Sequence, residues 1–205
     1  MTGLLINGMN KKHSKPEILL NGWSRLKGEL LTLLIKWGFG SFGKGSIIYK
    51  PLRIDGMPNI YVGDNVIIRH LSWFFVQETD AARLTIGNGC YLGHSFHCAA
   101  IEEMIIGEKV LIADKVFLSD NTHGFQNVNI PYMENPIEVK GKVSVGDGSW
   151  IGENVCILGA KVGSHCIIGA NSVVTSDIPD YSIAVGIPAR VVKKYDHGQQ
   201  KWVKA

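Results

Sequence analysis

The sequence lacks a dominant charge: 21 Lys and Arg stand against 18 Asp and Glu, a formal net of +3. So small an excess argues against a nucleic-acid partner. It lacks any Cys-x-x-Cys pair among its four cysteines, which excludes the common zinc and thioredoxin-type motifs. No uncharged run reaches the roughly 18 residues that a membrane span requires, and the start carries no cleavable signal pattern, which points to the cytoplasm. Glycine is plentiful, at 24 of 205 residues, and 45% of the chain is hydrophobic, enough for one domain with a substantial core.

The stretch from Val139 to Val174 organises the rest. A large aliphatic residue recurs every sixth position at Val139, Val145, Ile151 and Ile157, then at Val162, Ile168 and Val174 after one five-residue step. The period fits neither a helix nor a simple alternating strand. Small residues follow the aliphatic ones (Gly146, Gly152, Gly163, Gly169), and the fourth position after is small or β-branched. Such hexads describe a solenoid that winds round a triangular prism, one short strand per side, with the aliphatic residues stacked on the axis. Gly, Asp and Asn are expected to supply left-handed corners. Cys90, Cys98, Cys156 and Cys166 fall inside hexads and read as core residues of a reducing compartment.

Taken in order, residues 1–13 form a basic start, and 1–42 a helical segment. Ser14-Lys15-Pro16-Glu17 is a capping box, after which Leu19, Trp23, Leu26, Leu30, Leu33, Leu34 and Trp37 recur at helical spacing. This amphipathic helix is expected to cover the open end of the solenoid with its apolar stripe. The competing reading is peripheral membrane contact through residues 14–37 at the inner face of the membrane, because Lys11, Lys12, Lys15, Arg25, Lys27 and Lys36 outnumber Glu17 and Glu29. The β-helix is assigned to 43–178. Its first coil is irregular, with Ile47, Ile54 and Ile60, and the register is clear at Val62, Ile68, Phe74, Ile86, Leu92, Cys98, Ile106, Ile112 and Leu118. After Ser119-Asp120-Asn121-Thr122-His123 the pattern stops, and loop 124–138 leaves the scaffold beside a histidine. Residues 179–205 form a tail, with a short helix expected around Trp202.

These hexads, the LSDNTH segment with its loop, the SWIGENVCIL run and IIGANSVVTSDIPDYSIAVGIPARVV together resemble the hexapeptide-repeat acyltransferases, all-β solenoids of the left-handed parallel β-helix type. The likeness is strongest to the bacterial polysaccharide and O-antigen O-acetyltransferases, which are similar to the galactoside and maltose acetyltransferases. The resemblance implies transfer of an acetyl group from acetyl-CoA to a sugar or glycan hydroxyl, with no metal required. It further implies a homotrimer with active sites between neighbouring prisms, and an acceptor that is free or lipid-linked. His123 matches the position of the family's general base, a role suited to imidazole near neutral pH. Asp120 either orients that ring or forms a turn. Trp150 either walls the acceptor cleft or packs between subunits. Gly152, Ala170 and Thr175 match CoA-contacting positions, and Arg190 and Lys193 are expected to meet the nucleotide phosphates. Ser176 stands where galactoside-type relatives often carry lysine, which leaves one phosphate contact in doubt.

Other readings of the same solenoid are acyl transfer to a nucleotide-sugar amine, a serine or a xenobiotic, a γ-carbonic-anhydrase-like metal enzyme, and a non-catalytic scaffold. His94, His97 and His123 lack the paired spacing a metal enzyme of that kind needs. A bare scaffold leaves the His123 loop and the GIPAR tail unexplained.

Overall fold

The computed structural model describes residues 14–205; Lys11 and Lys12 lie outside them. The chain forms a left-handed β-solenoid of about seven coils with one N-terminal helix. Each coil contributes a strand to each of three parallel sheets, here called faces 1, 2 and 3 in chain order. Face 1 begins at Ser41–Phe42, face 2 at Ile47–Ile48 and face 3 at Arg53–Asp55. The axis is filled as the hexads require: Val62, Ile68, Phe74, Ile86, Leu92, Cys98, Ile106, Ile112, Leu118, Val145, Ile151, Ile157, Val162, Ile168 and Val174 are all buried.

Three details differ from the sequence reading. Val139 is half exposed and pairs antiparallel with Asn121, so the solenoid resumes at Val143–Val145. In the first coil Ile48 stands on the axis in register with Ile68, while Ile47 faces outward beneath the helix. Cys156 stands on the outer side of face 3 between Phe117 and Val173, because its neighbour Ile157 takes the axis. The other three cysteines are buried, and burial raises the Cys90 thiol to about 11, which keeps it inert.

The corners also use more than Gly and Asn. Leu71, Lys109, Lys115, His165 and Tyr181 all adopt left-handed backbone, at φ of 53 to 62°. That conformation costs about 1–2 kcal/mol for an L-residue. A backbone bond to the adjacent coil offsets it each time: Lys109 N–H donates to Asn88 (2.8 Å), His165 to Asp147 (2.8 Å) and Tyr181 to Ser164 (2.9 Å).

The helix α1, Lys15–Ile35, starts with the expected capping box, Ser14 accepting from the Glu17 amide and Glu17 from the Ser14 amide. Its seat on the solenoid is Gly28 and Thr32, the two buried residues of the helix. Gly28 lies against Ile47 and Tyr49, where an added Cβ would stand 3.1 Å from the Tyr49 ring. The Ile47 and Tyr49 amides donate to the next coil, so the Ile48 amide between them points out of the open end. Thr32 Oγ1 accepts it at 3.0 Å and donates to Gly28 O at 2.7 Å. The helix therefore caps the edge strand, but not with its apolar stripe. Leu19, Trp23, Leu26, Leu30, Leu33 and Leu34 are exposed, because at 3.6 residues per turn they stand on the side away from Gly28 and Thr32, and Trp37, in the 3-10 turn Lys36–Gly38 that follows the helix, is exposed as well.

At the other end the tail forms no helix. Ser182–Gly186 continues face 2 in parallel, and Ala189–Asp196 and Lys201–Lys204 add two antiparallel strands. The β-favouring residues Val191, Val192 and Tyr195 on one side and Trp202-Val203 on the other flank a turn at 197–200 that contains Gly198, a hairpin pattern rather than a helical one.

Candidate active site

His123 ends the strand Asn121–His123, which pairs antiparallel with Ile137–Val139. The two strands form the base of an arm that leaves the prism at the corner between faces 3 and 1, and the Gly124 amide bonds Pro136 O (2.8 Å) to close it. A single 3-10 turn, Tyr132–Glu134, lies within the arm. His123 is exposed there. Asp120 does not reach out beside it. The residue is fully buried, and its carboxylate accepts from the amides of Ile101 (3.0 Å) and Glu102 (2.9 Å) and from Asn121 Nδ2 (2.8 Å). It clips the base of the arm to the preceding coil, the turn-forming alternative, and is no substrate contact.

Trp150 stands on the outer side of face 2, half exposed, in register with Leu111 and Ile167. Beside this apolar row runs a column of small residues, Gly93, Ala113, Gly152 and Gly169, each donating its amide to the next coil. A side chain at Gly152 is impossible, since its Cβ would come within 2.6 Å of the Ala170 amide nitrogen. The Gly152 N–H itself bonds Ile168 O at 2.8 Å, so it is not the amide a ligand would meet.

The amides that follow that column are capped less often than their counterparts at the other edge of face 2. There an Asp or Asn from the next coil caps four of them: Asp64 caps Lys44 (2.6 Å), Asn88 caps Asp64 (2.8 Å), Asp147 caps Glu108 (2.7 Å) and Asp180 caps Ser164 (2.8 Å), while the Asn88 and Asp147 amides have no partner among the described residues. At the edge beside the small column, Asp114 caps His94 (2.7 Å), but the next-coil neighbour of Glu153 is Ala170, which has no acceptor to offer. The N–H groups of Glu153 and Ala170 have no partner among the described residues. Unpaired amides on a rigid edge suit a carbonyl or oxyanion. The sequence reading named Ala170 and not Glu153; the signal available was an alanine in the coil after Glu153, where the coil after His94 carries Asp114.

The tail supplies cations to the same face. A bulge shifts the pairing of Ser182–Gly186 with Ala189–Asp196, so that Lys193 opposes Ile183 while Arg190 opposes Val185. Ile183 lies in register with Ile167 and hence with Trp150. Without the bulge two residues three apart would point to opposite sides; with it, Arg190 and Lys193 both stand on the outer side of face 2. Lys193 is three strand steps from Trp150, about 14 Å at the usual spacing. Thr175, by contrast, is exposed beyond the face 3 strand Val173–Val174, away from Ala170 at the strand's other end.

Among the described residues the three histidines considered for metal form no group that could hold an ion. His94 stacks on His70 (5.4 Å) and meets Arg69 Nε at 3.3 Å, while His97 is stacked between Trp73 (4.4 Å) and Phe117 (4.6 Å) on face 3. Burial lowers the His97 pKa, and burial followed by Arg69 and His94 lowers that of His70.

No family model matches the chain. It is 40% identical over 117 residues to the putative lipopolysaccharide biosynthesis O-acetyl transferase WbbJ of Escherichia coli, covering 53% of this chain and 59% of that protein. It is 31% identical over 183 residues to a probable acetyltransferase of Mycobacterium tuberculosis, covering 87% and 58%. The chain thus spans less than two thirds of the length of either relative. In fold it matches AntD, an N-acyltransferase from Bacillus cereus solved with dTDP and 3-hydroxybutyryl-CoA, with a TM-score of 0.69 at 22% identity over 82% of this chain and 90% of that one. By its hexads, its solenoid and these relatives, the chain is similar to the hexapeptide-repeat acyltransferases of the left-handed β-helix fold.

Proposed function

We propose that the protein is an acetyl-CoA-dependent O-acetyltransferase that acts on a sugar hydroxyl of a surface polysaccharide or O-antigen precursor, and that it works as a homotrimer. The observation that carries this reading is the outer side of face 2, where a smooth column, two unpaired amides, Trp150 and two cations stand in one line. The Glu153 and Ala170 amides suit the carbonyls of a pantetheine arm or a tetrahedral oxyanion, and Arg190 and Lys193 suit the nucleotide phosphates. The name of the E. coli relative supports the acceptor class, and the acyl-CoA bound to AntD supports the donor. No step in this chemistry calls for a metal.

His123 leaves the prism at the corner opposite face 2, so one chain cannot bring both to a substrate. In the proposed trimer the arm of one copy reaches face 2 of the next. The exposed apolar residues of the arm, Phe125, Val128, Tyr132 and Met133, support such a contact. There the His123 imidazole takes the proton of the acceptor hydroxyl while its oxygen attacks the thioester carbonyl. The tetrahedral intermediate collapses by breaking the carbon–sulfur bond, and the imidazolium returns the proton to the departing CoA thiolate.

Replacing His123 by Ala tests the reading. Turnover of acetyl-CoA with a panel of glycans is expected to fall about 10²-fold or more, while CoA affinity by calorimetry stays unchanged. Near wild-type turnover in the purified variant would remove His123 from the mechanism.

A further inference from the structure

The apolar arc of α1 is unused by the solenoid. A soluble helix normally turns such an arc to its core; here the seat is the narrow Gly28 and Thr32 side, and the arc points away from the prism. Leu34 and Trp37 are 79% and 82% exposed. An apolar strip of this extent on the surface marks an interaction site.

We propose that α1 docks the protein, lying flat, on an anionic lipid surface. The arc holds Leu19, Trp23, Leu26, Leu30 and Leu34, continued by Trp37 of the 3-10 turn Lys36–Gly38 that follows, a strip of aliphatic and indole side chains edged by cations, which suits an anionic interface. Cations stand at its margins: Lys27 Nζ lies 5.1 Å from the Trp23 ring centre and Lys36 Nζ 4.9 Å from that of Trp37. That arrangement lets each ammonium reach the headgroups while its stem and the indole stay in the interface. Lys15, Arg25, Lys27 and Lys36 face two acids, and one of these, Glu29, is paired with Arg25 at 2.8 Å. Among the described residues no helix is long and apolar enough to cross a membrane, so the geometry is that of an interfacial helix, entering roughly 5–10 Å. Parallel assembly of copies about an axis along the prism would put every α1 at the same end, where their binding adds through avidity.

The test is flotation of the full-length protein with phosphatidylglycerol-containing vesicles, with phosphatidylcholine vesicles, and without lipid. Wild type is expected to float with the anionic vesicles. Leu26→Asp/Leu30→Asp is expected to lose at least about tenfold of that binding, at unchanged melting temperature and sedimentation coefficient. Lys27→Glu/Lys36→Glu is expected to lose about fivefold per lysine. Wild type that stays with the soluble fraction would overturn the proposal. So would a Leu26→Asp/Leu30→Asp variant that melts earlier or changes its oligomeric state, since the arc would then be a contact within the fold or between copies. Vesicle binding is read without acetyl-CoA or acceptor, so its outcome is independent of the proposed chemistry.

Discussion

In the solenoid the largest aliphatic side chains point to the axis; in α1 they point to the outside. Both segments carry a clear hydrophobic period, yet only in the first does the period say where the partner is. A strand in a closed coil has one inner side, and its hexads must fill it. A helix has an apolar arc and a seat, and the seat goes to whichever side fits the surface beneath. Here Gly28 lets the helix approach Tyr49, and the Thr32 hydroxyl satisfies the Ile48 amide that the edge strand leaves open.

The sharpest way to break this contrast is to damage each segment in turn. Leu92→Ala removes methyl groups from a fully buried axis residue and is expected to cost about 2–5 kcal/mol in denaturant unfolding. Leu26→Asp/Leu30→Asp, more drastic in chemistry, is expected to cost almost nothing. Equal losses would mean that the two segments are packed alike.

A smaller effect tests the seat. Thr32→Val keeps the shape and removes the hydroxyl, leaving the Ile48 amide and the edge of face 2 unsatisfied. Unfolding free energy is expected to fall by about 1–3 kcal/mol, and amide exchange at Ile48 to quicken. Unchanged exchange would show that the helix seats by shape alone.

The smallest effect concerns the histidines on the outer side of the solenoid. Burial depresses the folded-state pKa of His97, so between that value and the unfolded value near 6.5 the unfolded chain binds more protons. Stability is then complete above about pH 6.5 and declines as pH falls through that window. His97→Phe keeps the ring stack with Trp73 and Phe117 and is expected to flatten part of the decline, His70 contributing the rest. A decline identical to wild type would mean that His97 titrates normally.

Most of the solenoid was legible because each hexad repeats the same demand on the same axis. Val139 was misplaced because a β-arm alternates too, and one aliphatic residue does not tell an axis from an arm. The tail helix failed for a related reason: Trp202 stood out, while the β-favouring residues on both sides of the Gly198 turn carried the hairpin. The sequence names His123, Trp150, Arg190 and Lys193 as candidates, but that Arg190 and Lys193 share a side depends on a bulge in the pairing. Glu153 was invisible because its amide is left open by Ala170, 17 residues downstream, a matter of which coil lies next to which.

The proposal that the site is shared between copies has one direct test. Trp150→Glu places a charge on face 2, and His123→Ala removes the base from the arm; each variant alone is expected to be nearly inactive. Co-expressed in equal amounts, with mixed assemblies verified by native mass spectrometry, they are expected to recover about a quarter of wild-type turnover, because random mixing pairs an intact arm with an intact neighbouring face at that frequency. Mixed assemblies no more active than the two variants apart would contradict a shared site.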